Sequence, residues 1–129
     1  MLRPRTRAAL AGVRDAGSHV VVVTGRMFRA VRPYLEQAGL DDPVVCYQGA
    51  VVAVPATGDF LLHVPIPLAD ARDAMDAVLD AGFHLNVYVD DDLYVAELNA
   101  EGRRYAEFQH IPVNAVGDQI GRASCRERV

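Results

Sequence analysis

The chain has 129 residues and a net charge of −4, with 51% hydrophobic and 23% charged residues. A length of this order holds one domain and scarcely two, and the composition is that of a packed globular protein rather than a disordered one. The negative balance disfavours a nucleic-acid partner, and no apolar run approaches the length that spans a bilayer, so no membrane partner is expected. All 13 basic residues are arginine, which excludes any mechanism that draws a lysine from this chain. The start, Met1-Leu2-Arg3-Pro4-Arg5, is basic and runs into a mixed Ala/Arg stretch without the apolar core of a signal peptide; the reading is a cytoplasmic protein. Two cysteines, Cys46 and Cys125, make neither a disulfide framework nor a metal cluster, and Cys46 in its apolar run reads as a buried, inert thiol.

In chain order, Pro4 suits the first turn of a helix whose apolar side is Ala8, Ala9, Leu10, Val13 and Ala16, closed by Gly17. Residues 20–23 are four valines in a row, the pattern of a parallel strand covered on both faces. The run stops at Thr24-Gly25-Arg26, and a helix follows over 27–38 with Met27, Val31 and Leu35 at helical spacing, Pro33 as an interior kink and Gly39 as its stop. A second buried strand spans 43–47 and ends in Gln48-Gly49-Ala50. This helix–strand alternation predicts an α/β fold with a parallel, doubly wound sheet.

The character then changes. Residues 51–54 and 60–64 flank Pro55-Ala56-Thr57-Gly58-Asp59 as a hairpin, and Pro65 and Pro67 break the chain near a domain boundary. A helix over 68–81 buries Leu68, Ala71, Met75, Val78 and Leu79 and stops at Gly82. Phe83, Leu85, Val87 and Val89 alternate with polar residues as a half-buried strand, Asp90-Asp91-Asp92 turns it, and 93–96 returns. Asn99 caps a last helix to about residue 109, with Tyr105 and Phe108 on one side. The second half is therefore α+β, without repeats.

Thr24-Gly25-Arg26 is the most informative triplet, because ligands of open α/β sheets sit at the carboxyl ends of the strands. A helix N-terminus offers backbone N–H groups to an anion there, Thr24 adds a hydroxyl, Gly25 permits close approach and Arg26 brings a fixed positive charge. The same triplet also fits a plain helix cap supplied by Thr24. Gln48-Gly49 closes the next strand on the same edge and reads as a second substrate loop or as an ordinary turn. Asp90-Asp91-Asp92 reads as a solvated hairpin tip, not a metal site. His19, His63, His84 and His110 are dispersed without ligand spacing; His84, Tyr88 and Tyr94 are possible substrate contacts.

Taken together, Pro4-Arg5-Thr6-Arg7-Ala8-Ala9-Leu10, Val21-Val22-Val23-Thr24-Gly25-Arg26 and Tyr47-Gln48-Gly49-Ala50 resemble the Cof-like phosphatases, with a type IIB cap, of the haloacid dehalogenase superfamily. The resemblance implies part of a Rossmann-like parallel core sheet over 1–50 and part of an α+β cap over 51–118. It implies Mg²⁺-dependent hydrolysis of small phosphorylated metabolites through an aspartyl-phosphate. It assigns phosphate binding to Thr24, Gly25 and Arg26 and a substrate loop to Gln48 and Gly49, with Gln48 where the family usually has Asn. The sequence departs from the family pattern in having no Asp-x-Asp-Gly-Thr, no lysine and no Gly-Asp-x-x-Asn-Asp, and Gly117-Asp118 is a weak partial match. No catalytic nucleophile and no metal-binding acid are therefore assigned, no cofactor is expected on these residues alone, and the chain reads as an inactive, marginally stable fragment cut at both ends.

The tail, residues 119–129, breaks the preceding pattern. From Ile120 it reads as the translation of ATC GGA AGA GCG TCG TGT AGG GAA AGA GTG, a string resembling a sequencing adapter, and it is set aside from the fold. A different class of reading is a non-catalytic ligand-binding or interaction domain that kept this fold without the catalytic loop. A nucleotide-binding oxidoreductase is third, because no Gly-x-Gly-x-x-Gly follows either strand.

Overall fold

A computed structural model of the chain describes residues 2–117. The expected extraneous tail, together with Asp118, lies outside the described residues. The chain forms two compact units, Met1–Val64 and Pro65–Val129.

In the first unit, helix α1 (Pro4–Asp15) starts with its proline at the first turn, as the sequence predicts. Its apolar side is shallower than expected: no residue of α1 is buried, Val13 is exposed, and only Leu10 packs on the core. Arg14 ties the helix down instead, donating to the Gly39 carbonyl and pairing with Asp41 at 3.1 Å.

Helix α2 (Phe28–Ala38) buries Phe28, Ala30, Val31 and Leu35 and runs continuously through Pro33. An interior proline costs a helix about 3 kcal/mol. Burying Phe28, Val31 and Leu35 offsets it at about 1.5–3 kcal/mol per side chain. Gly39 ends the helix in the left-handed conformation, with Leu40 N–H donating to the Leu35 carbonyl at 3.0 Å.

Strand β1 (Val44–Cys46) is the centre of this unit, with Val44 and Cys46 fully buried. It pairs antiparallel with β2 (Val51–Ala53), which pairs with β3 (Phe60–His63), giving the order β1-β2-β3. The expected hairpin is thus present, and its strands extend the sheet that β1 begins. Phe28 and Phe60 meet edge-to-face at 6.1 Å above it.

The parallel part of the sheet is smaller than the valine run predicts. Val23 bridges Val45 in parallel, with Thr24 N–H donating to the Val45 carbonyl and Val45 N–H to the Val22 carbonyl, both at 2.9 Å. Residues 20–23 are not covered on both faces: Val20 and Val22 pack on the core, while Val21 is 55% and Val23 72% exposed. The reason is local. Side chains alternate between the two faces of a strand, and among the described residues only the face carrying Val20 and Val22 is packed, which leaves the row of Val21 and Val23 in solvent.

In the second unit, α3 (Leu68–Asp80) buries Ala71 and Met75, while Leu79 remains 38% exposed. Strand β4 (Val87–Val89) is shorter than the predicted alternating run, and Phe83 is exposed. Asp90 and Asp91 both take positive φ, 51° and 61°, as a two-residue type I′ hairpin loop requires. Strand β5 (Asp92–Val95) returns antiparallel to β4.

Asn99 caps α4 (Ala100–Gln109), its side-chain oxygen accepting from Gly102 N–H at 2.9 Å. A strand not foreseen from the sequence, β6 (Val113–Ala115), then pairs parallel to β5. Met75 packs on Val87 and Val89 on one face of this sheet, while on the opposite face Tyr88 reaches Tyr105 of α4. Phe108, expected beside Tyr105 on the packed side, is exposed.

Candidate functional site

The two motifs singled out from the sequence lie together in the first unit. The Thr24-Gly25-Arg26 loop follows the segment that pairs with β1, and Tyr47-Gln48-Gly49 forms a single 3₁₀ turn directly after β1. Backbone bonds stitch them: Thr24 N–H reaches the Val45 carbonyl at 2.9 Å, and Tyr47 N–H reaches the Arg26 carbonyl at 3.1 Å. Thr24 Oγ1 accepts from Arg26 N–H at 3.2 Å, a local side-chain turn.

That geometry removes the plain capping role for Thr24. The N-cap of α2 is Met27, which supplies no side-chain hydrogen bond, and Thr24 lies four residues before the first helical residue, Phe28, in its own turn. Arg26 places its guanidinium carbon 5.8 Å from the centre of the Tyr34 ring, a cation–π arrangement on the flank of α2. No pattern in the sequence marked Tyr34 as its partner.

The turn after β1 is conformationally unusual. Tyr47, Gln48 and Gly49 take φ of 50°, 58° and 105° in succession, although the first two are not glycine. Each such non-glycine residue costs about 1 kcal/mol or more. The turn directs the Gln48 side chain onto Gly25: a β-carbon at Gly25 would stand 2.8 Å from Gln48 Cδ, and closer still to its amide nitrogen. Gly25, Gln48 and Gly49 are all exposed, so the corner is open to solutes.

The approach to the corner is held by Asp42. Its carboxylate accepts Val20 N–H at 3.1 Å and lies 2.8 Å from His19 Nδ1. The His19 hydrogen bond first, and the Val20 N–H second, hold the Asp42 carboxyl below the usual carboxylate range.

The remaining sequence candidates have structural partners elsewhere. His84 bonds Asn86 at 3.2 Å and packs on α4, where a β-carbon at Gly102 would come 3.2 Å from its ring. The Tyr88 hydroxyl meets that of Tyr105 at 2.5 Å, and burial followed by this bond pushes the Tyr88 phenol well above its usual range. Tyr94 packs against the Met75 cluster, His63 lies edge-on to Phe60, and His110 ends α4 in the left-handed conformation.

A divalent cation such as Mg²⁺ needs hard oxygen ligands, carboxylates first. The corner offers a hydroxyl, a carboxamide and a guanidinium. Among the described residues no group of three or more His, Cys, Asp or Glu side chains is placed to hold a metal ion. These residues do not fit the metal. Nor, among them, is any helix long and apolar enough to cross a membrane.

Mixed α/β architecture and a loop corner at the carboxyl end of a parallel pair define an α/β protein of the kind that binds ligands at strand ends. Residues 1–119 match the model of the haloacid dehalogenase-like hydrolases, and the chain belongs to that family. Over 90 residues it is 31% identical to the pyridoxal phosphate phosphatase YbhA of Escherichia coli, an alignment covering 70% of this chain and 33% of that protein. Its fold matches a phosphatase of the haloalkanoate superfamily from Bacteroides thetaiotaomicron with a TM-score of 0.74 and 23% identity, over 98% of this chain and 46% of that one. It also matches a subclass IIB sugar phosphatase with a TM-score of 0.71 and 21% identity, over 98% and 49%. The resemblance to the Cof-like branch read from the sequence motifs stands. The chain spans a third of the length of the curated relative and about half that of the solved structures.

Proposed function

We propose that the corner formed by Thr24, Gly25, Arg26, Gln48 and Gly49 binds the phosphoryl group of a small phosphorylated metabolite in a Mg²⁺-dependent phosphatase. The observation that carries this reading is the stitching of the two loops into one open corner at the end of a parallel pair. Thr24 there presents a hydroxyl and the loops present backbone N–H groups, the donors that recognise a phosphate.

On this reading the catalytic core includes residues 1–50 together with β2 and β3, which share the sheet of β1, and the cap that selects the substrate begins near Pro65 rather than at residue 51. Family chemistry passes the phosphoryl group to an aspartate and then to water, which demands carboxylates that this corner lacks. They would come from residues outside this sequence, so the 129-residue chain binds phosphate weakly and does not hydrolyse its esters. The setting is cytoplasmic, with neither nucleic acid nor membrane as partner; the net charge of −4 supports the first exclusion.

Two readouts on the purified chain test this. Release of phosphate from p-nitrophenyl phosphate with Mg²⁺ should match buffer alone. Thr24→Val, which keeps the shape and removes the hydroxyl, should weaken binding of inorganic phosphate about 3- to 10-fold, the range of one net hydrogen bond. Turnover by the chain itself would show that its own residues suffice, and phosphate binding indifferent to Thr24→Val would remove the corner as the phosphate site.

A further inference from the structure

The sheet of the first unit has an open edge, and the chemistry of that edge selects its own partner. The Val22 carbonyl and the Thr24 N–H are both spent on Val45 of β1. Backbone groups alternate in direction along an extended chain, so the N–H and C=O of Val21 and Val23 face away from β1. Among the described residues none of these groups has a hydrogen-bond partner. Open edges are ordinarily guarded by charged side chains, proline or a bulge. Residues 18–24 contain no Asp, Glu, Lys, Arg or Pro. The opposite edge of the same sheet differs, since the register of β3 on β2 slips between Val52 and Ala53, an irregularity of the kind that guards an edge.

The open edge is complementary to itself. Hydrogen-bonded positions of an antiparallel pair need outward backbone groups on both strands at the same point. About a twofold axis through Val22, Val21 of one copy stands opposite Val23 of the other, and Val23 opposite Val21. Both members of each pair then carry outward groups, and each pair exchanges both of its bonds. The same register lays the exposed Val21 and Val23 side chains against each other across the junction, and no like charges meet there. From this geometry we infer that segment 20–23 is a self-association surface whose partner is a second copy of this chain, joined edge to edge in antiparallel register. The symmetry closes the assembly at two copies, because each open edge uses up the other. The contact is small, so the dimer is weak and the dilute chain is monomeric.

Sedimentation equilibrium of the purified chain from micromolar to millimolar concentration should show monomer and dimer with nothing larger. Val23→Lys places a charge on the edge at an exposed position. It should weaken dimerisation about 10-fold, since the twofold axis counts the change twice, with the circular dichroism of the dilute chain unchanged. Register is read by cross-linking in a Cys125→Ser background, where the remaining Cys46 is buried. A mixture of Val21→Cys and Val23→Cys chains should form mixed disulfides ahead of either chain with itself, because only the mixed pair lies directly opposite. A chain that stays monomeric at millimolar concentration, a dimer indifferent to Val23→Lys, or self-linked products that match the mixed ones would overturn the inference. Growth beyond the dimer would do the same, because it requires a second, different edge.

Discussion

Both units contain a parallel crossover, and the two are not equally enclosed. In the second unit β5 leads through α4 to β6, and β5 has β4 on its other edge; Leu93 on that strand is 1% exposed. In the first unit the segment 20–24 leads through α2 to β1 and, among the described residues, is paired on that side alone, with Val23 72% exposed. The sequence favours the wrong one. Four consecutive valines read as a more buried strand than Asp92-Leu93-Tyr94-Val95, yet strand propensity does not bury a residue. A parallel strand is enclosed when both edges are paired and both faces are covered.

The largest expected effect sharpens this contrast directly. Leu93→Ala should destabilise the chain by about 2–5 kcal/mol in urea denaturation, the loss of a fully enclosed leucine. Val23→Ala should stay within about 0.5 kcal/mol, as for a surface change. Similar losses at the two sites would break the comparison.

Next in size is the crossover helix of the second unit. Asn99→Ala removes the side-chain cap of α4 and should cost about 1 kcal/mol in the same experiment, read also as lost helicity. The entry to α2 has no side-chain cap to lose, so the two crossovers differ again in how their helices begin.

Smaller effects follow from titration. The Tyr88 phenol titrates higher in the folded chain than the ordinary tyrosine value of about 10. Its contribution to stability is therefore complete below that pH and is lost as pH rises toward the folded value. Denaturation midpoints should fall above about pH 10, with a shallower fall in Tyr88→Phe. The smallest effect has the opposite sign. Asp42 titrates below the ordinary carboxylate, so its contribution is present above about pH 4 and is lost as pH drops through the lowered folded value. Asp42→Asn should flatten the acid side of the stability profile slightly, and salt should blunt the difference.

Much of the fold was legible because its signals are local. Pro4 at a first turn, Gly39 after α2, Asn99 before α4 and the acidic turn at Asp90-Asp91 each act on their own backbone, and each is used as the sequence implies. What could not be read depends on partners distant in sequence. Strand β6 follows Pro112 in a short apolar stretch that becomes a strand through pairing with β5. The exposure of Val21 and Val23 depends on whether another layer covers their face, which four consecutive valines do not encode. The corner was legible as two motifs on one sheet edge. The packing of Gln48 on Gly25 was not, since neither Tyr47 nor Gln48 advertises a left-handed backbone.

The most direct test of the central claim is a phosphate titration of the ¹⁵N-labelled chain with every assigned amide followed. The account predicts saturable shifts confined to residues 24–26 and 47–49, with the amides of α4 and β4–β6 silent. Shifts centred on the second unit, or none at all, would contradict it.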